Sequence, residues 1–269
     1  MTATTTTEGP GAAAWARRRA GGILAPLAGG IAILLIWEVV LAVLAPERFL
    51  LPRPSVIALA LVEHAEQIGS AARSTGYVAV TGLLAGIVLG VVAALLVSLS
   101  RTVGEAVTPM AVAVNAMPII ALAPVFNAWF GSLAPRSNQA VVAVVVFFPV
   151  FIGTVKGLTQ VETIHLELME SMAASRWRIL REVRIPGAMP YFFTACKVVA
   201  SLAVIAAIVD EYFGGRQDAL GPLIVQSAGL SRYDDAWAAV AAGAAMGIAL
   251  YLAVVLIERL SMPWARVEG

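Results

Sequence analysis

Between Gly157 and Pro190 the chain reads GLTQVETIHLELMESMAASRWRILREVRIPGAMP, a stretch in which side chains able to do chemistry crowd together. Glu162, His165, Glu167, Glu170 and Glu182 share it with Arg176, Arg178, Arg181 and Arg184. The pattern does not suit catalysis. No His/Cys/Asp/Glu set has metal-ligand spacing, and no nucleophile stands with a base. Nowhere does a Gly-rich loop end in the Lys-Ser/Thr of an ATP site. Neither a metal nor a cofactor is therefore expected, and nucleotide hydrolysis is excluded. Docking fits better. Helical residues three or four apart share a face, so Leu166, Met169, Met172 and Ala173 form an apolar ridge flanked by Glu167, Glu170 and Ser171. The plainer alternative is an interfacial helix covered in solvated charge.

The surroundings of this island are membrane-like. Hydrophobic residues make up 60% of the chain, charged residues 13%, and mean hydropathy is +0.87. Soluble domains are about 45–50% apolar and about 25% charged. A net charge of +1 gives no reason to expect nucleic acid, and the single cysteine, Cys196, excludes an internal disulfide. A span needs about 20 mostly apolar residues, and six segments qualify: 22–45, 75–99, 106–129, 139–156, 191–213 and 236–257. They lack the alternation of barrel strands, so the expected fold is an all-α membrane protein of about six transmembrane helices. Pro118, Pro124 and Pro149 predict kinks, which neighbouring helices accommodate.

Arginine and lysine placement orients the spans. With the amino terminus inside, the cytoplasmic side receives Arg17, Arg18, Arg19, Arg101, Lys156, Arg176, Arg178, Arg181, Arg184, Arg259 and Arg266. The outside receives Arg48, Arg53, Arg73, Arg136, Arg216 and Arg232, and Lys197 falls within the fifth span. Eleven against six places both termini and the island in the cytoplasm. The first apolar segment is too long for a signal-peptide core. The expected organisation is a disordered cytoplasmic segment 1–20, a transmembrane domain 21–262 with its loop 157–190, and a tail 263–269. Residues 58–74 have the spacing of a helix lying at the outer interface, with His64 on its polar, solvated side. A short helix is expected from Leu220 to Leu230, packed on the outer mouth.

From Glu167 the island runs Glu-Leu-Met-x3-Ala173-x9-Val183-x-Ile185-Pro186. This resembles the EAA loop of ABC-importer permeases, Glu-Ala-Ala-x3-Gly-x9-Ile-x-Leu-Pro, with Leu168 and Met169 for the alanines and Ala173 for the glycine. Ala174-Ser175-Arg176-Trp177, Pro186-Gly187-Ala188-Met189-Pro190 and Leu51-Pro52-Arg53-Pro54-Ser55 resemble the nitrate, taurine and sulfonate branch of that family. The likeness covers residues 35–260. It implies a type I importer permease in the cytoplasmic membrane, forming the path for a small polar solute. Its partners would be a separate ATPase subunit and an extracytoplasmic binding protein. Glu167, Glu170, Met172, Ala173, Ala174, Arg176, Ile185 and Pro186 would form the cytoplasmic coupling helix and its exit, seated in a groove of the ATPase. Alanine at 173 suggests a helical crossing or a turn with ordinary backbone angles, since glycine would turn more freely. Six spans make half a path, so a homodimer in the lipid is expected. A secondary transporter would ordinarily show an internal repeat, and an intramembrane enzyme a catalytic constellation; neither is visible.

Polar groups inside spans are functional candidates because lipid makes them costly. Asn115, Met117, Pro118, Asn127 and Trp129 are candidate lining residues of the third span, and Phe147 and Phe148 candidate gates in the fourth. Asp210 and Glu211 end the fifth span at the outer side, either lining the entrance or simply solvated. Glu38 lines the bundle or pairs with Lys197. Gly82, Gly86 and Gly90 repeat every four residues, a ridge for close helix contact within the bundle or at a subunit interface. For the substrate, Met117–Asn127 and Val209–Gly215 resemble the thiamine-pyrimidine-precursor group, and two carboxylates at the mouth would repel anions. The alternative cargo is nitrate, sulfonate or taurine.

Overall fold

The computed structural model describes residues 28–43, 50–98, 121, 123–131, 134–161, 163–213 and 217–263. Among these every regular element is a helix. The first unit, residues 1–59, contains α1 (Ala28–Val43) and the start of α2 (Pro54–Glu63). Pro54 opens α2, where its missing N–H costs nothing. Glu38 of α1 accepts from both the backbone N–H and the hydroxyl of Ser55, at 3.0 and 2.8 Å. The pairing of Glu38 with Lys197 is thus corrected. Lys197 is bound elsewhere, to Glu258 at 2.9 Å.

The second unit, residues 60–269, is a bundle built around one central helix. Its long elements are α3 (Ala65–Ser98), α5 (Pro135–Thr159), α8 (Ile185–Glu211) and α10 (Tyr233–Ser261). Among the described residues four helices are long and apolar enough to cross a membrane: α3, α5, α10 and the continuous helical run Arg176–Glu211 that ends in α8. They take up the second, fourth, fifth and sixth expected spans. The third lies mostly outside the described residues, which resume it as α4 (Ala123–Phe130); Asn115 and Met117 lie outside them.

The central helix is α5, with α3 on one flank and α8 on the other. Small residues set both distances. A Cβ on Gly86 would lie 2.6 Å from the Ala143 carbonyl oxygen, and one on Gly82 would lie 2.6 Å from Val142 Cβ. On the other flank a Cβ on Gly157 would meet Ala188 Cα at 2.8 Å, and one on Gly153 would meet Ala195 Cβ at 2.8 Å. The three-glycine ridge of α3 therefore packs inside the chain. Val142, Val146, Val150, Val199 and Ala203 fill the core that results.

One boundary differs from expectation. No separate helix ends at residue 74; α3 starts at Ala65 and runs 34 residues, about 51 Å. The polar stretch AEQIGSAARSTG holds no proline, so the helix continues past the lipid, where hydropathy has nothing to detect. The break falls at His64 instead, between α2 and α3.

Candidate functional site

The island folds as two short helices joined by a tight turn. Helix α6 (Thr163–Ser171) has no buried residue. It ends in a double backbone closure: Ala174 N–H donates to the Met169 carbonyl at 3.0 Å and Ala173 N–H to the Glu170 carbonyl at 2.9 Å. That is a Schellman cap, whose central residue is ordinarily glycine because it adopts the left-handed conformation. Here Ala173 adopts it, with φ +49°. The expectation of ordinary angles at 173 is corrected: alanine takes the conformation glycine would have supplied. A non-glycine residue pays about 1 kcal/mol for this. Ala173→Gly is therefore expected to stabilise the permease by up to about 1 kcal/mol, read as a raised thermal midpoint of the purified complex. A lowered midpoint would contradict the strained turn.

After the turn, Ser175 Oγ caps α7 (Arg176–Ile179) by accepting from Arg178 N–H. The next five residues, Leu180–Arg184, form a π-helical turn that runs without a break into α8. Such wide turns occur often at functional sites. Ile185 and Pro186 open α8, and Arg178 pairs with Glu182 at 3.1 Å on the exposed side. Glu167, Glu170, Met172, Ala173 and Arg176 are all exposed, and Ala174 is half-buried.

The apolar ridge is rotated from its expected phase. Leu166 and Met169 are half-buried. The stripe left bare is Ile164, Leu168 and Met172, at 68%, 59% and 62% exposure. They recur every four residues and so share one face. Ile164 and Leu168 were not among the expected docking residues. Apolar residues lie on both sides of this helix, and only the fold decides which side the chain itself covers.

The end of the bundle opposite the island holds a second polar cluster, and it is internal. Asp210 and Glu211 are 1% and 3% exposed. The expectation of solvated or entrance-lining carboxylates is corrected. Glu211 Oε2 accepts from Thr75 Oγ1 of α3 and from Gly221 N–H, both at 3.0 Å, and Thr75 Oγ1 accepts from Leu220 N–H at 3.0 Å. Leu220 and Gly221 begin α9 (Leu220–Gly229), whose own cap residue, Ala219, has no side-chain acceptor. Side chains of two other helices thus cap α9, and a carboxylate there also suits the positive end of the helix dipole. Gly221 is required for the approach, since a Cβ would lie 2.6 Å from both Glu211 Cβ and the Ile208 carbonyl. Beside it Asp210 meets the Asn138 side chain, with its Oδ1 unpartnered among the described residues.

The remaining candidates are pinned by neighbours. Asn127 of α4 accepts from Ser137 Oγ at 2.7 Å and donates to the Phe213 carbonyl at 3.4 Å. Phe147 stacks on Phe151 at 5.7 Å and meets Phe148 edge-on at 5.0 Å, packed against the Ala94–Leu158 core. Trp129 is exposed, in edge contact with Phe126 at 5.9 Å. His64 is also corrected: it is half-buried, with Nδ1 3.4 Å from Asp235 and Nε2 3.4 Å from Arg232. Gln67, Gln226 and Ser227 join them around a cavity of about 30 Å³, room for water rather than cargo.

Residues 86–267 match the family described as "Binding-protein-dependent transport system inner membrane component". The chain is similar to a probable ABC transporter permease protein of Haemophilus influenzae, with 29% identity over 232 residues, 86% of this chain and 94% of that one. It is also similar to the formylaminopyrimidine transport permease protein of Halalkalibacterium halodurans, with 29% identity over 237 residues, 87% of this chain and 93% of that one. Among solved structures, the fold matches that titled "Crystal structure of an amino acid ABC transporter with histidines" at a TM-score of 0.60 and 16% identity, covering 75% of this chain and 97% of the other. At that identity the likeness is one of fold alone.

Proposed function

Because this chain belongs to the family of inner-membrane components of binding-protein-dependent transport systems, we propose that its bare α6 ridge seats the ATPase subunit that drives import. The chain is the multi-pass permease subunit of an ABC importer. The observation that carries the docking assignment is α6 itself, nine residues with none buried and an apolar stripe of Ile164, Leu168 and Met172 turned outward. Glu167 and Glu170 flank the stripe and set its register on a partner. The Ala173 turn and the π-helical turn then connect the docked helix to α8, so closure of the ATPase pulls on a helix that packs against the central α5. Hydrolysis takes place on the ATPase, and an extracytoplasmic binding protein delivers the solute. Two copies of the chain complete the path.

Glu167→Lys tests this reading. It inserts normally, because α6 buries nothing, but reverses a charge facing the partner. Retention of the ATPase subunit on the purified permease is expected to fall at least about tenfold. A complex that keeps its ATPase and full substrate-stimulated hydrolysis would refute the docking assignment.

For cargo we infer a pyrimidine-type precursor of thiamine. The formylaminopyrimidine permease matches over 237 residues, and residues 117–127 and 209–215 carry the sequence likeness. Asp210 and Glu211 are turned into the protein and so present no charge that would repel anions at the mouth. The ligand retained by the cognate binding protein decides between this class and small anions.

A further inference from the structure

We propose that the cytoplasmic end of the seam between α5 and α8 binds the phosphate headgroup of an anionic phospholipid of the inner leaflet, held between Lys156 and Arg184 beside Tyr191. The inference rests on the reading that α5 and α8 cross the bilayer with these ends inside. Depth is the first argument. The helical run Arg176–Glu211 has 36 residues, about 54 Å, against a hydrocarbon core of about 30 Å. Counting back about 20 residues from Glu211 brings the inner edge of the core to Tyr191. Counting the same length along α5 from Ser137 ends at Lys156. The two residues lie level by contact as well, with Lys156 Nζ 6.0 Å from the Tyr191 ring centroid.

Registry supplies the second argument. Ala188 sits against Gly157 and Ala195 against Gly153, so the face of α8 carrying 188, 191 and 195 is turned to α5. Arg184 is one turn before Ala188 and two before Tyr191, on that same face. It stands about 10 Å along the helix from Tyr191, at headgroup level, and its long side chain can reach back toward the phosphate layer.

Charge supplies the third. Among the described residues neither Lys156 nor Arg184 makes an ion pair. Of the described carboxylates, Glu182 is bound to Arg178 and Glu258 to Lys197. Two cations with no carboxylate partner among the described residues, set beside an aromatic ring at the interface, fit one kind of occupant, a lipid phosphate with its chains against the helices. The ATPase is the less apt occupant, because the bare docking ridge lies on α6 and Arg184 is half-buried.

The test uses the intact permease–ATPase complex in nanodiscs of phosphatidylcholine with and without phosphatidylglycerol, and native mass spectrometry to count retained lipid. The Lys156→Gln/Arg184→Gln double variant is expected to retain phosphatidylglycerol about thirtyfold more weakly, roughly fivefold for each charge removed. Lys156→Arg keeps the charge and should retain it as the native chain does. Equal retention by the double variant sinks the proposal. So does loss of the ATPase subunit from the variant in pure phosphatidylcholine, which would assign these side chains to the partner protein. A reporter fused after Thr163 separates the layers of the argument. If it reads extracytoplasmic, the membrane orientation itself is wrong; if cytoplasmic with undiminished lipid retention, only the headgroup site falls.

Discussion

Replacing Gly86 with leucine is expected to leave almost no folded permease in the membrane. A Cβ alone would lie 2.6 Å from the Ala143 carbonyl oxygen, 2.7 Å from Val146 Cβ and 2.8 Å from its Cγ1. Comfortable contact between carbons begins at about 3.5 Å, so the two helices would have to separate by most of an ångström before the rest of the side chain is placed. The obstacle includes backbone, which cannot swing aside. Overpacking ordinarily costs about 1–3 kcal/mol, and here the shift would also loosen Gly82 on Val142 and Gly90 on the Phe147 carbonyl. Against a total stability of about 5–15 kcal/mol, that removes much of the margin. The measurement is extraction yield and monodispersity of the tagged permease. Gly69, on the same helix, meets nothing within 4 Å, so Gly69→Leu is the matched control and should behave like the native chain. Equal behaviour of the two variants would mean that α3 and α5 do not pack through this ridge.

That ridge was legible in the sequence because spacing alone carries it: three glycines four residues apart inside an apolar run have few uses besides close contact. The short helix after the fifth span was legible too, since Gly and Pro punctuation bounds an apolar segment too short to cross. What escaped the sequence was anything decided by a distant partner. Lys197 finds Glu258 sixty-one positions away, and no local pattern selects Glu258 over Glu38. The phase of the α6 ridge was missed for a related reason. Hydropathy reports which residues are apolar, whereas the fold decides that Leu166 and Met169 are half-covered while Ile164 and Leu168 stay bare. Ala173 shows a third kind of limit: its hydrogen bonds impose a left-handed turn that its residue type argues against.

The acidic pair at the end of the fifth span escaped for the first of these reasons, and its true setting makes the sharpest functional forecast. Glu211→Ala is expected to abolish uptake while the ATPase subunit stays bound. The substitution removes the acceptor for the Thr75 hydroxyl and the Gly221 N–H. A buried donor left without a partner costs about 1–3 kcal/mol, and α9 also loses the carboxylate at its positive end. The first turn of α9 should detach from α3 and α8, since its own cap residue offers no side-chain acceptor. The damage stays local. The exposed α6 ridge, proposed to dock the ATPase, lies at the opposite end of the bundle, beyond a core of about 30 Å, so complex assembly should be unchanged. Graded variants separate this account from simple misfolding. Glu211→Gln keeps an oxygen that can take the place of Oε2 and accept both bonds, losing only the charge at the α9 terminus, and should retain part of the flux. Thr75→Ser preserves both roles of the hydroxyl and should be close to native, whereas Thr75→Ala should approach Glu211→Ala. Substrate flux in proteoliposomes, co-purified ATPase and proteolytic nicking within the first turn of α9 would be read together. Normal flux with native protection of that segment in Glu211→Ala would show that the brace does not position α9, whatever its hydrogen bonds.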